Sequence, residues 1–412
     1  MKLPLPLKKW MAYEAATNRN VDPSKIYVLQ NFQNSAFSPE QAQTFTVKSY
    51  WISASEATSF RAGNSELPQM FVDLKKKKLL LLVHPESVGF YEKLIQKAQV
   101  GPEFWAQSTA SSRTLLVSPK THPQMFFFAK LSLDKEVAGV VRTIPRGEVA
   151  RSLGVTQILD TIGKELPKGF HYLPEVFGLM PHGMDRGGMI IREIPEAILN
   201  GQMDVMPVFS MFTKQQDGTI PMLTMSASEK QPLSSWLQQR FLNPFSQMYW
   251  DWTLRHHLAI EAHAQNFLMV IKDGQPNGEF VFRDFGGFNF NLQSRVRLGL
   301  PLPESLPILT NLENDYHQKF YKDAVKDGIK TFFEGGVLYG ISKVSEHMDQ
   351  KMSYQDLKNL FRSTLSVQAK KFGVKFSPFD ENYLFLDQVT NEDSVVHSNQ
   401  TLQKSCRSKV AR

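Results

Sequence analysis

The segment EAHAQNFLMVIKDGQPNGEFVFRDFGG, residues 261–287, has the pattern of a β-hairpin with polar side chains at both ends. Its apolar runs FLMVI and FVF are typical of strands, and the intervening KDGQPNG carries both an Asp-Gly and an Asn-Gly turn signal. A turn centred on Gln275 places Asn266 directly opposite Asp284. This prediction depends on the turn, because a shift of one residue sends a side chain to the other face of the sheet.

An amide oxygen and a carboxylate at these two positions are suitable ligands for one cation. Directly opposed residues in an antiparallel pair have Cβ atoms about 4.5–5.5 Å apart. Mg²⁺ prefers oxygen ligands, of which the protein commonly supplies one or two while water and substrate phosphates supply the rest. We therefore expect Asn266 and Asp284 to hold Mg²⁺.

The hairpin also shares features with nucleotide-dependent kinases, which use an Asn and an Asp to hold the metal ions that bridge phosphates. Asp284 opens a D-F-G tripeptide, and Glu261 lies five residues before Asn266, as the base precedes the metal-binding Asn in the kinase catalytic loop. The pattern therefore indicates nucleotide and metal chemistry. Neither GxxxxGK[ST] nor GxGxxG occurs, so the sequence supports neither a P-loop nor a Rossmann site.

A purely structural interpretation of the same residues stays open. In it, His263 and Gln265 cap the end of a preceding helix, while Arg283 and Asp284 form a pair on the surface. For one residue taken alone this interpretation is the better one. The gathering of five polar groups at one end of an apolar hairpin favours a functional site for the set.

Composition limits the class of protein. The chain has 412 residues, which suggests two or three packed units, and its 42% hydrophobic and 21% charged residues are ordinary for a soluble globular protein. The net charge of +7 indicates anionic partners, which include nucleic acid, lipid headgroups and small polyanions. The single Cys406 fits a reducing compartment, so we expect a cytoplasmic protein. The apolar run Leu79–Val83 is too short to span a bilayer.

The order of predicted elements indicates an α+β protein with a largely antiparallel sheet region followed by a mostly helical region. Strands are predicted in RTLLV, MFFFAKLSL and AGVVRTI, and YLPEVFGLM with GMIIREI forms a further hairpin. Helices are predicted at SVGFYEKLIQKAQ, from Leu233 to His263, and in the two segments 315–333 and 354–372. The helix predicted from Leu233 to His263 has one apolar stripe, formed by Trp250, Leu254, Leu258 and Ala262. The predicted regions are 1–90, 91–230 and 231–412.

A phosphate site at the hairpin needs cations from elsewhere in the chain. Lys130 lies within an apolar strand run, where a charged group must reach water or find an anionic partner. Arg142 has a similar setting after Val140 and Val141. The candidates for phosphate contacts are Ser111, Arg113, Thr114, Lys130 and Arg142. A charged edge of the sheet is the structural alternative for each cation.

Six motifs follow one another along the chain: S-x-R-T at 111–114, Lys130-Leu131, Arg142, Arg192-Glu193, E-x-H-x-Q-N at 261–266 and Arg283-Asp284. Their order is typical of aerobactin-type siderophore synthetases, which work without a nonribosomal peptide assembly line. The chain resembles that family over roughly residues 83–290, and more loosely through the helical part. The pair H-x-Q-N and R-D is the more specific signal.

The resemblance implies a cupped-hand fold with thumb, fingers and palm, and an ATP- and Mg²⁺-dependent ligase. In that family a carboxylate of citrate or a related acid attacks the α-phosphate, pyrophosphate leaves, and an amine or hydroxyl captures the acyl adenylate. Arg142 and His263 would lie near the carboxylate substrate, with Glu261 as a helper. ATP would contact Ser111, Arg113, Thr114, Lys130, Arg142, Gln265, Asn266 and Asp284. The implied partners are small polycarboxylates and amine or hydroxyl substrates, without nucleic acid or a membrane span, and a homodimer stays open.

Three departures from the family pattern put the substrate in question, and one of them is Ala138, near Arg142, where the family has a Thr. The resemblance implies a reduced thumb-like region within residues 1–90, and His84-Pro85-Glu86-Ser87 stands where the family has His-Pro-Trp-Gln. Two other functions therefore stay open. One is a small-molecule kinase that uses the same metal site with Glu261 as base, and the other is a nucleotide-binding homologue without turnover.

Overall fold

The computed structural model describes residues 1–16, 36–137, 140–291, 295–296, 298–302, 324–325, 327–346 and 351–372. Two helical segments, Gln238–Leu242 and Gly328–Leu338, have the wider π-helical hydrogen-bond pattern. The α-helices are α1 (Leu5–Ala15), α2 (Glu92–Ile95), α3 (Arg146–Ile162), α4 (Glu196–Leu199), α5 (Val208–Met211), α6 (Pro221–Ser228), α7 (Leu233–Leu237), α8 (Asn243–Arg255), α9 (Tyr339–Ser345) and α10 (Tyr354–Lys371).

The strands follow the same chain order. They are β1 (Phe45–Ser53), β2 (Ala57–Arg61), β3 (Val72–Asp73), β4 (Lys78–Val83), β5 (Gln99–Val100), β6 (Phe104–Ser108), β7 (Thr114–Pro119), β8 (Phe127–Leu131), β9 (Glu136–Val137), β10 (Val140–Val141), β11 (Phe170–Tyr172), β12 (Glu175–Pro181), β13 (Met189–Glu193), β14 (Asp204–Pro207), β15 (Leu258–Ala259), β16 (Phe267–Lys272), β17 (Gln275–Phe282) and β18 (Asn289–Phe290).

A ten-stranded sheet dominates the first half of the chain. Its order is β2-β12-β13-β8-β7-β6-β1-β4-β3, with β5 also paired to β1, and the neighbouring strands run antiparallel. The predicted hairpin of β12 and β13 is confirmed. Together with the helices, this sheet confirms the predicted α+β class. Strands from both sides of residue 90 belong to this one sheet. The division of the chain into the regions 1–90, 91–230 and 231–412 stays a prediction.

The smaller sheet contains the hairpin of β16 and β17, in the order β11-β17-β16-β14. The predicted turn is wrong, because the two-residue loop is Asp273-Gly274, where both residues have positive φ as a type I′ turn requires. Gln275 instead begins β17, where its side chain accepts a hydrogen bond from Trp236 Nε1 at 2.9 Å.

This turn, with an irregularity further along the ladder, changes the pairing at the polar end. Ile271 faces Pro276, whereas Met269 faces Phe280 and Phe267 faces Phe282. The ladder continues with the Arg283 N–H, which donates to the Asn266 carbonyl at 2.9 Å. Asn266 is therefore opposite Arg283, and the predicted opposition of Asn266 and Asp284 is wrong.

Helix α1 packs against both sheets. One face of the large sheet, the hairpin sheet and α1 share a single apolar cluster, which includes Trp10, Phe128 and Leu268. The ring of Trp10 meets that of Phe128 edge-on with centroids 4.9 Å apart. Burial of aromatic side chains in this layer fixes the two sheets against each other.

Helix α3 lies against the same large sheet, close to strand β12. A Cβ at Gly178 would come within 2.5 Å of Val149 Cγ1 and 2.9 Å of Leu153 Cδ2, so the close approach of this helix requires glycine. At the other side of α3, Arg151 Nη1 donates to the Gly286 carbonyl at 3.1 Å. The helix thus connects the large sheet to the segment that follows the hairpin.

The helical predictions are partly corrected. The predicted helix from Leu233 to His263 ends at Arg255, because His257 has a positive φ and Leu258 pairs as a strand with Phe290. Of SVGFYEKLIQKAQ, only Glu92–Ile95 is α-helical, preceded by short 3-10 turns.

The two predicted C-terminal helices have different outcomes. The predicted helix at 354–372 is confirmed as α10, which Ser353 and Asp356 begin with a capping box. The prediction at 315–333 lies partly outside the described residues, and its described end belongs to the π-helical segment Gly328–Leu338.

None of the helices that the structure describes is both long and apolar enough to cross a lipid bilayer.

Buried Asp251 in α8 gives a test of stability against pH. Burial raises its pKa to about 6, against the partly opposing charge of Arg255. The folded state thus keeps the proton to higher pH than the unfolded chain, and this contribution to stability is lost as pH rises from 3.8 to about 6. We expect Asp251→Asn to raise the free energy of unfolding by about 2 kcal/mol at about pH 7, and to change it little at about pH 4.

Urea denaturation at the two pH values measures this difference. Asp273→Asn is the matched control, because Asp273 is exposed in the turn and asparagine tolerates positive φ. An equal effect of Asp251→Asn at both pH values would contradict the assignment.

Candidate active site

Lys130 is the central cation of the site. It lies on β8 opposite Thr114 of β7, with a side chain only 2% exposed. Its Nζ is 2.7 Å from Glu148 Oε1 and also donates to Asp284 Oδ1. The anionic partner that an apolar strand requires is thus supplied twice, by helix α3 and by the end of the hairpin.

Arg113 lies in the loop between β6 and β7, beside Lys130. Its guanidinium donates to the Arg142 carbonyl at 3.2 Å and to Glu148 Oε1 at 3.5 Å. The loop is shaped by Ser111 Oγ, which accepts the Thr114 N–H at 3.1 Å, and by Ser112 at φ +59°. Ser111 and Thr114 thus support the loop that holds Arg113.

Glu148 is the residue that the sequence reasoning missed. It lies in the first turn of α3, and its carboxylate contacts both Lys130 and Arg113. Burial acts to raise its pKa, but Lys130 and Arg113 outweigh burial and hold the pKa below its usual value. Two signals could have identified it: an acidic residue in a helix's first turn after a proline, and the need of Lys130 for an anion.

Asn266 and Glu261 contact each other on the hairpin side of the site. Asn266 Nδ2 donates to Glu261 Oε2 at 3.1 Å. Burial first, and then the nearby charge of Asp284, raise the pKa of Glu261 to about 7. A Cβ on Gly287 would lie 2.0 Å from Glu261 Oε2, so glycine at this position is what admits the carboxylate.

Asp284 follows β17 with φ +68° and ψ +70°, in the left-handed region that is uncommon for residues other than glycine. This conformation directs the chain into the turn Phe285–Gly287. Burial acts to raise the pKa of Asp284, but the cations Lys130, Arg192 and Arg113 together lower it below its usual range. Asp284 is therefore a carboxylate at neutral pH.

Arg142 and His263 complete the charged cluster. Burial and the charge of Arg113 lower the pKa of Arg142, while Asp284, Glu148 and Glu261 oppose this change. Burial and then Arg142 lower the pKa of His263 to about 4, so the imidazole is neutral at pH 7. Its Nδ1 accepts the N–H of Gln265 at 3.3 Å.

The structure thus brings most of the predicted site residues together. Gln265 contributes its carbonyl to Arg283 Nε at 2.9 Å, and its own Nε2 is buried without a hydrogen-bond partner within the described residues. Arg283 points away from the site and pairs with buried Glu14, so the surface pair of Arg283 and Asp284 is absent. The predicted site residues that form one charged cluster are Arg113, Lys130, Arg142, Glu261, His263, Asn266 and Asp284.

In the part of the chain that the structure describes, no three His, Cys, Asp or Glu side chains are grouped so that they could hold a metal ion by themselves.

Two protein-family models match consecutive parts of the chain. The IucA / IucC family matches residues 90–213, which include the β7 and β8 strands and helix α3. A family described as ferric iron reductase FhuF-like transporter matches residues 234–354, which include the hairpin. No curated protein matches the chain.

Solved structures of siderophore biosynthesis proteins share this fold. ATP-bound aerobactin synthetase IucA from a hypervirulent pathotype of Klebsiella pneumoniae has 14% identity and a TM-score of 0.63, over 88% of this chain and 69% of that chain. Petrobactin biosynthesis protein AsbB from Bacillus anthracis str. Sterne has 18% identity and a TM-score of 0.64, over 88% and 68%. Aerobactin synthetase IucC from the same Klebsiella pathotype has 16% identity and a TM-score of 0.58, over 81% and 64%.

These findings confirm the resemblance drawn from the sequence motifs, and they confirm the siderophore-synthetase-like fold.

The shared position of Lys130 between two carboxylates makes it important for stability. We expect Lys130→Met to lower the free energy of unfolding by about 3–5 kcal/mol, because it leaves Glu148 and Asp284 close together with one cation fewer. Chemical denaturation measures the loss. Lys120→Met is the matched control, since Lys120 pairs with Glu103 at the surface and such pairs contribute little. Equal losses in the two variants would contradict the central role of Lys130.

Proposed function

We propose that this chain, which has the fold of the aerobactin-type siderophore synthetases, is a cytoplasmic ATP-dependent ligase of siderophore biosynthesis. The observation that carries the proposal is the convergence of Arg113, Lys130 and Arg142 on the hairpin end that bears Asn266 and Asp284. Three cations beside oxygen ligands form the kind of surrounding that a triphosphate needs. The aerobactin synthetase IucA of similar fold binds ATP, and we extend ATP binding from that protein to this chain.

The first step of the proposed reaction is adenylation of a polycarboxylate such as citrate. A carboxylate oxygen attacks the α-phosphorus of ATP, the bond from that phosphorus to the bridging oxygen breaks, and pyrophosphate leaves. Arg113 and Lys130 stabilise the charge that develops on the phosphoryl oxygens, because they are fixed in place before the reaction. Arg142 lies beside them and orients the acid by its positive charge.

The second step is capture of the acyl adenylate. The nitrogen of an amine or the oxygen of a hydroxyl attacks the acyl carbon, the bond to AMP breaks, and AMP leaves. The nucleophile loses one proton, for which Glu261 is the candidate acceptor. His263 is neutral at pH 7 and can hydrogen-bond the acid without adding charge. This assignment makes Arg142, His263 and Glu261 the residues of the acyl-transfer side.

Mg²⁺ fits the hairpin side of the site. Asn266 turns its amide nitrogen toward Glu261, which leaves the amide oxygen directed elsewhere, and Asp284 is ionised at neutral pH. An amide oxygen and a carboxylate, together with substrate phosphates, match the usual environment of this ion. Asn266 and Asp284 would hold it, and it would supply charge neutralisation to the phosphates.

Product analysis tests the reaction type. Wild-type protein with ATP, Mg²⁺, a panel of polycarboxylates and hydroxylamine as nucleophile should release AMP and pyrophosphate in an acid-dependent manner. Release of ADP would instead identify the kinase with Glu261 as base. Binding of ATP without release of either product would identify the silent nucleotide-binding homologue.

Variants at the metal-binding positions test the site. We expect Asn266→Ala and Asp284→Ala to lower kcat/KM by about 10²-fold or more, because each removes a ligand that stabilises phosphoryl charge. Asn277→Ala is the matched control, since Asn277 lies on the same hairpin but at its far, exposed end. Thermal unfolding checks that each variant is folded. Normal activity in either site variant would refute the site assignment.

A further inference from the structure

Glu14 is a buried carboxylate that belongs to none of the motifs above. It lies on helix α1 and is 0% exposed. Its two oxygens accept four hydrogen bonds, from three different parts of the chain. Oε1 accepts from Trp10 Nε1 at 2.9 Å and from Arg283 Nη1 at 2.5 Å, and Oε2 accepts from Ala110 N at 3.0 Å and from Arg283 Nη2 at 3.3 Å.

One of these partners, Ala110, belongs to the side of the site that is proposed to bind phosphate. Ala110 lies near the start of the loop that carries Ser111 and Arg113, between strands β6 and β7. Its N–H points at the Glu14 carboxylate, and within the same loop Thr109 Oγ1 donates to the Thr114 carbonyl at 2.8 Å. The position of Arg113 therefore depends on where Glu14 holds the start of the loop.

Another partner, Arg283, belongs to the side of the site that is proposed to bind the metal ion. Arg283 immediately precedes Asp284, and its backbone N–H donates to the Asn266 carbonyl. Its Nε donates to the Gln265 carbonyl at 2.9 Å, while its two terminal nitrogens bind Glu14. This one guanidinium thus fixes both strands of the hairpin at their polar end, and Glu14 fixes the guanidinium.

Helix α1 gives Glu14 a rigid base. Trp10 packs on Phe128, which lies two residues before Lys130 on β8 and therefore on the same face of that strand. A buried ion pair with all its hydrogen bonds made is a stiff connection, because loss of either partner leaves an uncompensated charge. Only a carboxylate can bind the guanidinium with two oxygens and accept the Ala110 N–H as well.

We propose that Glu14 is a positioning residue that sets the distance between the phosphate-binding loop at 109–114 and the metal-binding end of the hairpin. It touches no substrate and acts through Ala110 and Arg283. The inference rests on the proposed function, because it concerns the fit of the same site to ATP.

The test separates positioning from folding by the split between KM and kcat. Glu14→Gln keeps the shape of the side chain but replaces one acceptor oxygen by a donor group. A displaced loop weakens the fit to ATP, so we expect the KM for ATP to rise about tenfold or more. A merely structural defect reduces the amount of active enzyme, which lowers the apparent kcat and leaves KM unchanged.

Glu334→Gln is the matched control. Glu334 is 1% exposed and binds Arg362 of α10 through two hydrogen bonds of 2.7 and 3.0 Å, in the helical part of the chain. We expect this variant to lose stability like Glu14→Gln while its KM for ATP stays at the wild-type value. If both variants raise KM equally, the positioning role is refuted.

A second variant covers the case in which Glu14→Gln does not fold. Glu14→Asp keeps the charge but is one methylene shorter, so it cannot span Ala110 and Arg283 at the same time, and its KM for ATP should also rise. An unchanged KM in a folded Glu14 variant overturns the inference. Absence of ATP turnover in the wild type would instead overturn the proposed function, and this inference with it.

Discussion

Lys130 and its two carboxylate partners form the interaction on which the arrangement of the site depends. Lys130 belongs to the large sheet, Glu148 to helix α3, and Asp284 to the end of the hairpin. A buried ammonium is costly unless anions compensate it, so these three elements must come together for the strand to remain buried. The same contacts hold a cation beside the predicted metal-binding residues.

The apolar core and the charged cluster support each other. Trp10 packs on Phe128 in the apolar cluster that α1 shares with both sheets, and Gly178 allows α3 to approach the large sheet closely. This packing brings Glu148 to the end of β8, where it meets Lys130. Because the cluster is held by rigid elements, its charges are fixed in place, which is the condition for electrostatic stabilisation of a phosphoryl group.

The outcome at the hairpin shows that predicted residues can gather in one place although the predicted strand pairing is wrong. The predicted opposition of Asn266 and Asp284 is wrong, since the Asp273-Gly274 turn and the irregular ladder place Asn266 opposite Arg283. Asp284 nevertheless belongs to the charged cluster, because it follows the strand in a left-handed conformation and binds Lys130. The position of the Asp284 carboxylate is thus set by the left-handed conformation of this residue, and not by the strand register that the turn signals predicted.

The sequence by itself determined the α+β class, the hairpins, helix α10 and the set of polar residues that gather at the hairpin end. Periodicity and turn chemistry act over a few residues, and motif order is preserved along the chain, so these features can be predicted without coordinates. Only the tertiary structure decided the end of α8 at Arg255, the register of the hairpin, and the ion pairs of Glu148 and Glu14. Each of these depends on contacts between residues far apart in sequence, and no local pattern carries that information.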